Sequence, residues 1–225
     1  MLIKNKAIQI LFLVSLGCII MSFIEGIIQP SYVYKSLIKL ITFLSLILIY
    51  CLYNKDFSFF KVLKVHDKKD LLISITIGLA VYSLIILSYF IARNFIDLEQ
   101  IASNLTEKEN ISKNSFIFVA LYISFINSLL EELFFRGFAF IHLKKLIKEK
   151  YAYTFSSISF ALYHVFIMSG WFSPALFILI LFSLVIAGLI FDYFDRKTTI
   201  YNSWLIHMSA NFAINTIGLI AFNII

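Results

Sequence analysis

The sequence predicts an all-α, polytopic membrane protein with about seven transmembrane helices and a cytoplasmic amino terminus. Of its 225 residues, 61% are hydrophobic and only 14% are charged, and the mean hydropathy is +0.92. A water-soluble domain of this size could not bury so large an apolar fraction. Long apolar segments alternate with short basic loops along the chain, which is typical of helices that cross a bilayer.

Seven segments are each apolar over roughly the 20 residues that a helix needs to cross the hydrocarbon core. The first is too long for the apolar core of a secretory signal and lacks a small-residue cleavage pattern, so it is interpreted as a retained span. A single integral membrane domain is therefore expected over residues 1–225. The predicted spans are 7–28, 36–53, 71–92, 115–140, 152–168, 175–194 and 200–225.

The basic residues indicate how the chain is oriented. Seven spans place alternate loops on opposite sides, and 13 of the 19 Lys and Arg residues then lie on the side of the amino terminus, against five on the other side. Cytoplasmic loops carry such an excess, so the amino terminus is predicted to be cytoplasmic. Because these residues are spread over many loops, the net charge of +6 indicates contact with membrane lipid and no nucleic-acid partner.

The fourth predicted span contains two adjacent carboxylates and an arginine, Glu131, Glu132 and Arg136. An ionisable side chain in hydrocarbon costs a few kcal/mol or more, so this group is a candidate functional site. Glu132 and Arg136 are four residues apart, a spacing that suits an ion pair on one helix face. Glu131 points about 100° away from Glu132 on an α-helix, so it can face a cavity instead.

Two histidines and an asparagine are predicted at a similar depth in other spans. At 1.5 Å per residue, Glu131, His164, His207 and Asn211 lie about 11 to 18 Å from the cytoplasmic ends of their helices. His207 and Asn211 are four residues apart and share a face, and Phe160 places an aromatic ring one turn from His164. The alternative is that these residues form hydrogen bonds between helices and have no role in chemistry.

Three further polar residues are expected at the membrane surface. Lys39 lies at the start of the second predicted span, where its long side chain can extend toward the interface. His66 and His142 lie in predicted loops and are expected to be exposed to solvent.

Three motifs in the chain resemble those of a known family. Residues 131–136 have the form EExxxR, residues 160–164 the form FxxxH, and residues 207–211 the form HxxxN. In this order, each inside a predicted span, they resemble the CAAX protease and bacteriocin-processing (CPBP) family, also called the Abi family. The resemblance covers residues 115–225, where it implies a catalytic four-helix core, and residues 1–114 then form three further spans with their loops.

The resemblance implies an intramembrane endopeptidase of the glutamate type, similar to type II CAAX prenyl endopeptidases and acting on a peptide or lipidated peptide. Glu131 would be the general base that activates water, and His164 would help to hold that water. His207 and Asn211 would form the oxyanion hole. The residues that would support these four are Glu132, Arg136 and Phe160.

The same side chains allow a zinc-dependent variant of this reaction. Glu131, His164 and His207 could form a site of two histidines and one carboxylate with an open position. The metal-free reaction is preferred because the resemblance points to it and because asparagine is a poor zinc ligand. Cys18 and Cys51 lie in separate apolar segments, so they indicate neither a disulfide nor a metal site.

The biological role is open between classes. The bias toward Lys, Ile, Asn and Phe suggests a low-GC bacterium, so the bacterial plasma membrane is the expected location. Bacterial relatives suggest processing of a bacteriocin or peptide pheromone, or self-immunity. A non-catalytic immunity or scaffold protein is the main alternative. A coupled transporter is disfavoured, because Pro30 and Pro174 are the only prolines in the chain and the sequence has no detectable internal repeat.

Overall fold

The computed structural model describes residues 2–64, 68–197 and 199–225, and every regular element in these ranges is helical. Short 3₁₀ or π segments extend or connect several of the helices. The nine α-helices of the described ranges are α1 (Leu2–Phe23), α2 (Tyr32–Asn54), α3 (Lys68–Ala92), α4 (Leu98–Ser103), α5 (Lys113–Tyr122), α6 (Ser128–Glu131), α7 (Glu149–Ile167), α8 (Pro174–Asp195) and α9 (Tyr201–Ala221).

Six helices in the described residues are long and apolar enough to cross a membrane. They are Asn5–Ile28, Tyr32–Asn54, Lys69–Phe95, Lys113–Lys145, Pro174–Asp195 and Tyr201–Ala221. The prediction of an all-α polytopic membrane protein is therefore confirmed.

The fifth predicted span corresponds to α7, which is not one of these six helices. Its 19 residues begin with Glu149 and Lys150 and include four hydroxyl side chains between positions 154 and 159, which lower its hydropathy. The count of seven spans and the side of the membrane on which each terminus lies remain predictions.

The helix that carries the acidic pair, Lys113–Lys145, is called the site helix below. It begins at a capping box, in which the Ser112 hydroxyl accepts the backbone N–H of Ser115 and the Ser115 hydroxyl accepts that of Ser112. Its α-helical winding is interrupted by π-helical turns at Ile123–Asn127 and Glu132–His142. Such turns are frequent at functional sites, and the second one begins at the acidic pair.

Aromatic side chains fix α2 and α7 against the site helix. The rings of Phe43 and Phe134 stack with centroids 3.9 Å apart. Phe135 meets Phe43 edge-on at 5.8 Å and approaches the ring of Tyr163 at 5.5 Å. All four rings are fully buried, and such contacts contribute about 0.5–1.5 kcal/mol each beyond burial. The acidic pair therefore has a well-defined position relative to α2 and α7.

Small residues allow two pairs of helices to pack closely. α3 packs along α9, where Gly78 lies against Ser209, and α7 packs along α8, where Gly188 lies against Ser157. Close approach of this kind is a main source of helix association in lipid, where the hydrophobic effect between helices is weak. It holds α8 within hydrogen-bonding reach of α7.

Gly188→Ala is expected to lower the thermal stability of the protein, because the added Cβ would lie 2.9 Å from Ser157 Cα, a backbone atom that cannot rotate away. Overpacking of this type costs about 1–3 kcal/mol. Thermal unfolding in nanodiscs would measure the effect. Leu189→Ala, at a side chain that is 41% exposed, is the matched control and should change the melting temperature little. A Gly188→Ala protein as stable as this control would contradict the close contact.

The prediction that His142 is exposed to solvent is wrong. The site helix continues beyond residue 140, so His142 is buried, with Nε2 3.2 Å from the hydroxyl of Tyr50. Phe59 and Phe138 pack around its ring. His66 lies outside the described residues, and the expectation for it remains a prediction.

Candidate active site

Glu131 lies where α2, the site helix and α7 meet, and its carboxylate is 2% exposed. Three donors converge on Oε1: Lys39 Nζ at 3.2 Å, Asn127 Nδ2 at 3.0 Å and the Tyr163 hydroxyl at 3.4 Å. Lys39 Nζ also donates to Asn127 Oδ1 at 2.8 Å. The prediction that Lys39 extends to the membrane surface is therefore wrong, because its ammonium group is drawn inward by these two acceptors.

The other carboxylate oxygen, Glu131 Oε2, faces two imidazole rings. His164 Nε2 lies 3.9 Å from it and His207 Nε2 lies 3.8 Å from it. These distances are too long for direct hydrogen bonds, and they suit a water that bridges the three atoms. The sequence prediction placed these three residues in one layer of the membrane, and the structure brings their side chains together.

Each imidazole ring is oriented by a hydrogen bond at Nδ1, on the side of the ring away from Glu131. His164 Nδ1 lies 2.7 Å from the carbonyl oxygen of Phe160. Because a carbonyl only accepts, this Nδ1 carries the proton and Nε2 of the neutral ring is an acceptor. His207 Nδ1 lies 2.7 Å from Glu132 Oε1, and because a carboxylate accepts, Nδ1–H is the donor of this hydrogen bond. Phe160 also packs edge-on against both rings, at 4.6 Å and 5.7 Å.

Glu132 and Arg136 form the predicted ion pair, with Nε and Oε2 3.2 Å apart and both side chains fully buried. Asp192, on α8, lies 3.7 Å from the same Nε. The guanidinium group is also sandwiched between two aromatic rings, 4.3 Å from the centroid of Phe160 and 5.0 Å from that of Phe191. Two carboxylates and two ring faces thus compensate one buried positive charge.

Asp192 is itself held by the close packing of α7 and α8. The hydroxyls of Ser156 and Ser157 donate to its two carboxylate oxygens at 3.0 Å and 3.1 Å. The contact of Gly188 with Ser157 therefore helps to place a carboxylate beside Arg136.

Asn211 lies one turn from His207 on α9, but its amide points to a different partner. Its Nδ2 donates to the backbone carbonyl of Ile123 at 3.3 Å. The structure thus brings six of the seven predicted site residues into one contact network, and it places the seventh at the edge of that network.

Four residues of this site were not predicted from the sequence. Asn127 lies one helical turn before Glu131, and Tyr163 is the direct neighbour of His164, so spacing alone could have indicated both. Asp192 is an acidic residue within an apolar segment. Because a charged side chain in hydrocarbon is costly, it could have been named as a candidate site residue. Lys39 shares no motif with the others, and no signal in the sequence links it to Glu131.

The zinc alternative of the sequence analysis remains a prediction. No group of three His, Cys, Asp or Glu residues in the described part of the chain is placed to hold a metal ion. The ammonium of Lys39 also lies 3.2 Å from Glu131, where it would repel a divalent cation bound to the same carboxylate.

The fold and the site define a polytopic membrane protein with a buried carboxylate, two imidazoles and a supporting ion pair. Residues 113–213 match the family model described as Type II CAAX prenyl endopeptidase Rce1-like. This segment contains all seven predicted site residues, and the match supports membership of the CAAX protease family, which the three motifs predicted. The family supports a protease, of the CAAX-protease-like intramembrane kind. No curated protein and no solved structure matches the chain.

Proposed function

We propose that this protein hydrolyses a peptide bond of a membrane-associated peptide or protein, with Glu131 as the general base. The observation that carries the proposal is the position of Glu131 Oε2, which faces His164 Nε2 and His207 Nε2 at 3.9 Å and 3.8 Å. A water held by these three atoms would be next to a base and to two polarising groups, as hydrolysis requires.

In the first step, the water oxygen attacks the carbonyl carbon of the substrate while Glu131 Oε2 takes one water proton. The π electron pair of the C=O bond moves to the carbonyl oxygen, which becomes an oxyanion. When this intermediate collapses, the bond between carbon and nitrogen breaks and Glu131 returns the proton to the leaving amine. The products are a new carboxyl terminus and a new amino terminus.

The two histidines have different roles because their Nδ1 partners differ. His164 pairs with a backbone carbonyl, so its Nε2 accepts a hydrogen bond and orients the water. His207 donates Nδ1–H to the carboxylate of Glu132, and we assign to its Nε2–H the hydrogen bond to the oxyanion. Such a donor is worth about 10²–10³-fold in rate.

Asn211 would be the second donor to the oxyanion, as the family resemblance implies. Its present hydrogen bond to Ile123 is 3.3 Å long, so little is lost when the amide turns toward a charged acceptor. Arg136 and Phe160 would act indirectly, because they hold Glu132 and the two imidazole rings in place.

The reaction proposed is metal-free. The support is the ammonium of Lys39, which lies 3.2 Å from Glu131 and compensates the charge of the carboxylate without a metal. Metal analysis of the purified protein, combined with activity in chelator, tests this point. Stoichiometric zinc together with cleavage that chelator abolishes would overturn it.

The substrate class is a short peptide or lipidated peptide in the bacterial plasma membrane, with bacteriocin or pheromone processing or self-immunity as the role. Reconstitution in nanodiscs allows a direct test with two probes. One is a proteome-derived peptide library analysed by mass spectrometry, and the other is an internally quenched peptide that ends in a farnesylated Cys-aliphatic-aliphatic-Met sequence. We expect the wild-type protein to cleave at least one probe at a defined bond.

Glu131→Ala, compared at equal amounts of inserted protein, is the matched negative control in the same experiment and should release no product. The main alternative is a non-catalytic immunity or scaffold protein, which makes the opposite prediction. Binding of a peptide by the wild-type and Glu131→Ala proteins alike, without cleavage by either, would contradict proteolysis and support that alternative.

A further inference from the structure

Lys39 lies on α2, far outside the segment 113–213 that matches the protease family. Nevertheless its Nζ is within hydrogen-bonding distance of the proposed base and lies 5.2 Å from the centroid of the Tyr163 ring. The side chain is only 10% exposed. The stacked contact of Phe43, one turn further along α2, with Phe134 of the site helix holds this part of α2 in place.

The two oxygens of the Glu131 carboxylate have different partners, and Lys39 is one of those that contact Oε1. Oε1 receives Lys39, Asn127 and Tyr163, so its lone pairs are occupied by protein donors. Oε2 faces only the two imidazole rings among these contacts. The carboxylate is therefore prevented from rotating, and only one of its oxygens is available to a water.

Lys39 also supplies the charge that Glu131 needs. Glu132 is compensated by Arg136 at 3.2 Å, and among the described residues Lys39 is the Lys or Arg that lies within 4.0 Å of Glu131. A base must be ionised when the substrate arrives, and a buried carboxylate without a partner is strongly disfavoured in an apolar environment. The ammonium group therefore stabilises the form of Glu131 that accepts a proton.

The neighbouring lysine on the same helix has a different set of partners. Lys35 lies one turn before Lys39 and is buried to a similar extent, but its Nζ contacts Glu25 at 2.9 Å and Glu109 at 2.7 Å. α2 thus carries two buried lysines with separate carboxylates, of which only Lys39 reaches the candidate active site.

We propose that Lys39 is a positioning residue of the protease, which fixes the Glu131 carboxylate and compensates its charge so that Oε2 alone takes the proton from water. The inference rests on the proposed function. It extends the active site from the family segment to α2, and it assigns to the amino-terminal part of the chain an indirect role in catalysis, through Glu131.

The test compares Lys39→Met with Lys35→Met in nanodiscs, on a probe that the wild-type protein cleaves. Lys39→Met is expected to lower kcat by about 10- to 100-fold, a range typical of a misplaced catalytic group, with KM changed less than about twofold. Lys39→Arg keeps the charge and should recover most of the lost kcat. Lys35→Met should leave both constants near the wild-type values, because its carboxylates are not in the site. A Lys39→Met protein with wild-type kcat would overturn the inference.

A second measurement does not depend on activity or on the kinetic probe. Lys39→Met should lower the melting temperature when Glu131 is present and leave it unchanged, or raise it, in the Glu131→Gln background, because the two side chains are coupled. Equal effects in both backgrounds would overturn the contact. Coupling without cleavage of either probe by the wild-type protein would overturn the proposed function and leave the contact intact. If the wild-type protein cleaves a probe and Lys39→Met cleaves it equally fast, only the positioning role is overturned.

Discussion

Glu131→Gln is expected to lower kcat for the farnesylated quenched peptide by about 10³-fold, within the range of 10²–10⁴ that a general base contributes. The amide oxygen of Gln can still accept hydrogen bonds from Lys39 and Asn127, so the shape of the site is kept. What is lost is the ability of Oε2 to take a proton from water. Stopped assays of the quenched peptide in nanodiscs, with active-site concentration fixed by quantitative amino-acid analysis, would measure the change.

Glu132→Gln is the matched comparison, because it alters the adjacent carboxylate in the same way. Its effect on kcat should be smaller, about 10- to 100-fold, since its main role is to support the His207 donor and a single donor is worth at most about 10³-fold. If Glu132→Gln removed turnover while Glu131→Gln kept it, the two glutamates would have exchanged roles and the proposed mechanism would be wrong.

Arg136→Met is expected to destabilise the folded protein by about 3–5 kcal/mol, the usual cost of removing one partner from a buried ion pair. The substitution leaves Glu132 and Asp192 buried without their shared cation, at positions that are 0% exposed. It also removes the group that Phe160 and Phe191 sandwich. Unfolding by denaturant in mixed micelles, followed by tryptophan fluorescence, would report the free-energy difference.

Arg196→Met provides a control with the same change of side chain. Arg196 is exposed at the end of α8 and stacks on the ring of Tyr193 at 3.8 Å, so its removal should cost less than about 1 kcal/mol, as is usual for exposed charges. Similar losses in the two variants would show that the Arg136 network contributes no more to stability than a surface contact.

The sequence was sufficient to predict the helices and most of the candidate site, for a common physical reason. Apolar length and buried charge are properties of local composition, and in a bilayer they carry large free energies. Each predicted span coincides with a helix to within five residues at its ends. The ion pair of Glu132 with Arg136 followed from helical spacing, and the grouping of Glu131 with His164 and His207 followed from their depth.

The residues that were missed depend on contacts between distant parts of the chain. A lysine near a helix end turns inward when buried acceptors are within its reach. The acceptors of Lys39 are 88 and 92 residues further along the sequence, so local composition does not reveal them. The burial of His142 likewise depends on the extension of the site helix beyond residue 140. The role of Asn211 stays a prediction, and helical spacing could not show that the carbonyl of Ile123 offers its amide another acceptor.

The two buried lysines of α2 also bear on how the chain is assembled. Protein synthesis runs from the amino terminus, so Lys35 meets a partner at once in Glu25, only ten residues earlier in the chain. Lys39 emerges 92 residues before Glu131 and must wait until the site helix has been made. An uncompensated lysine is costly in hydrocarbon, so the start of α2 is expected to remain at the interface of the nascent protein and to settle inward only when the fourth membrane segment arrives. Insertion of the site helix and pairing of Glu131, the proposed base, with Lys39 would then be one event.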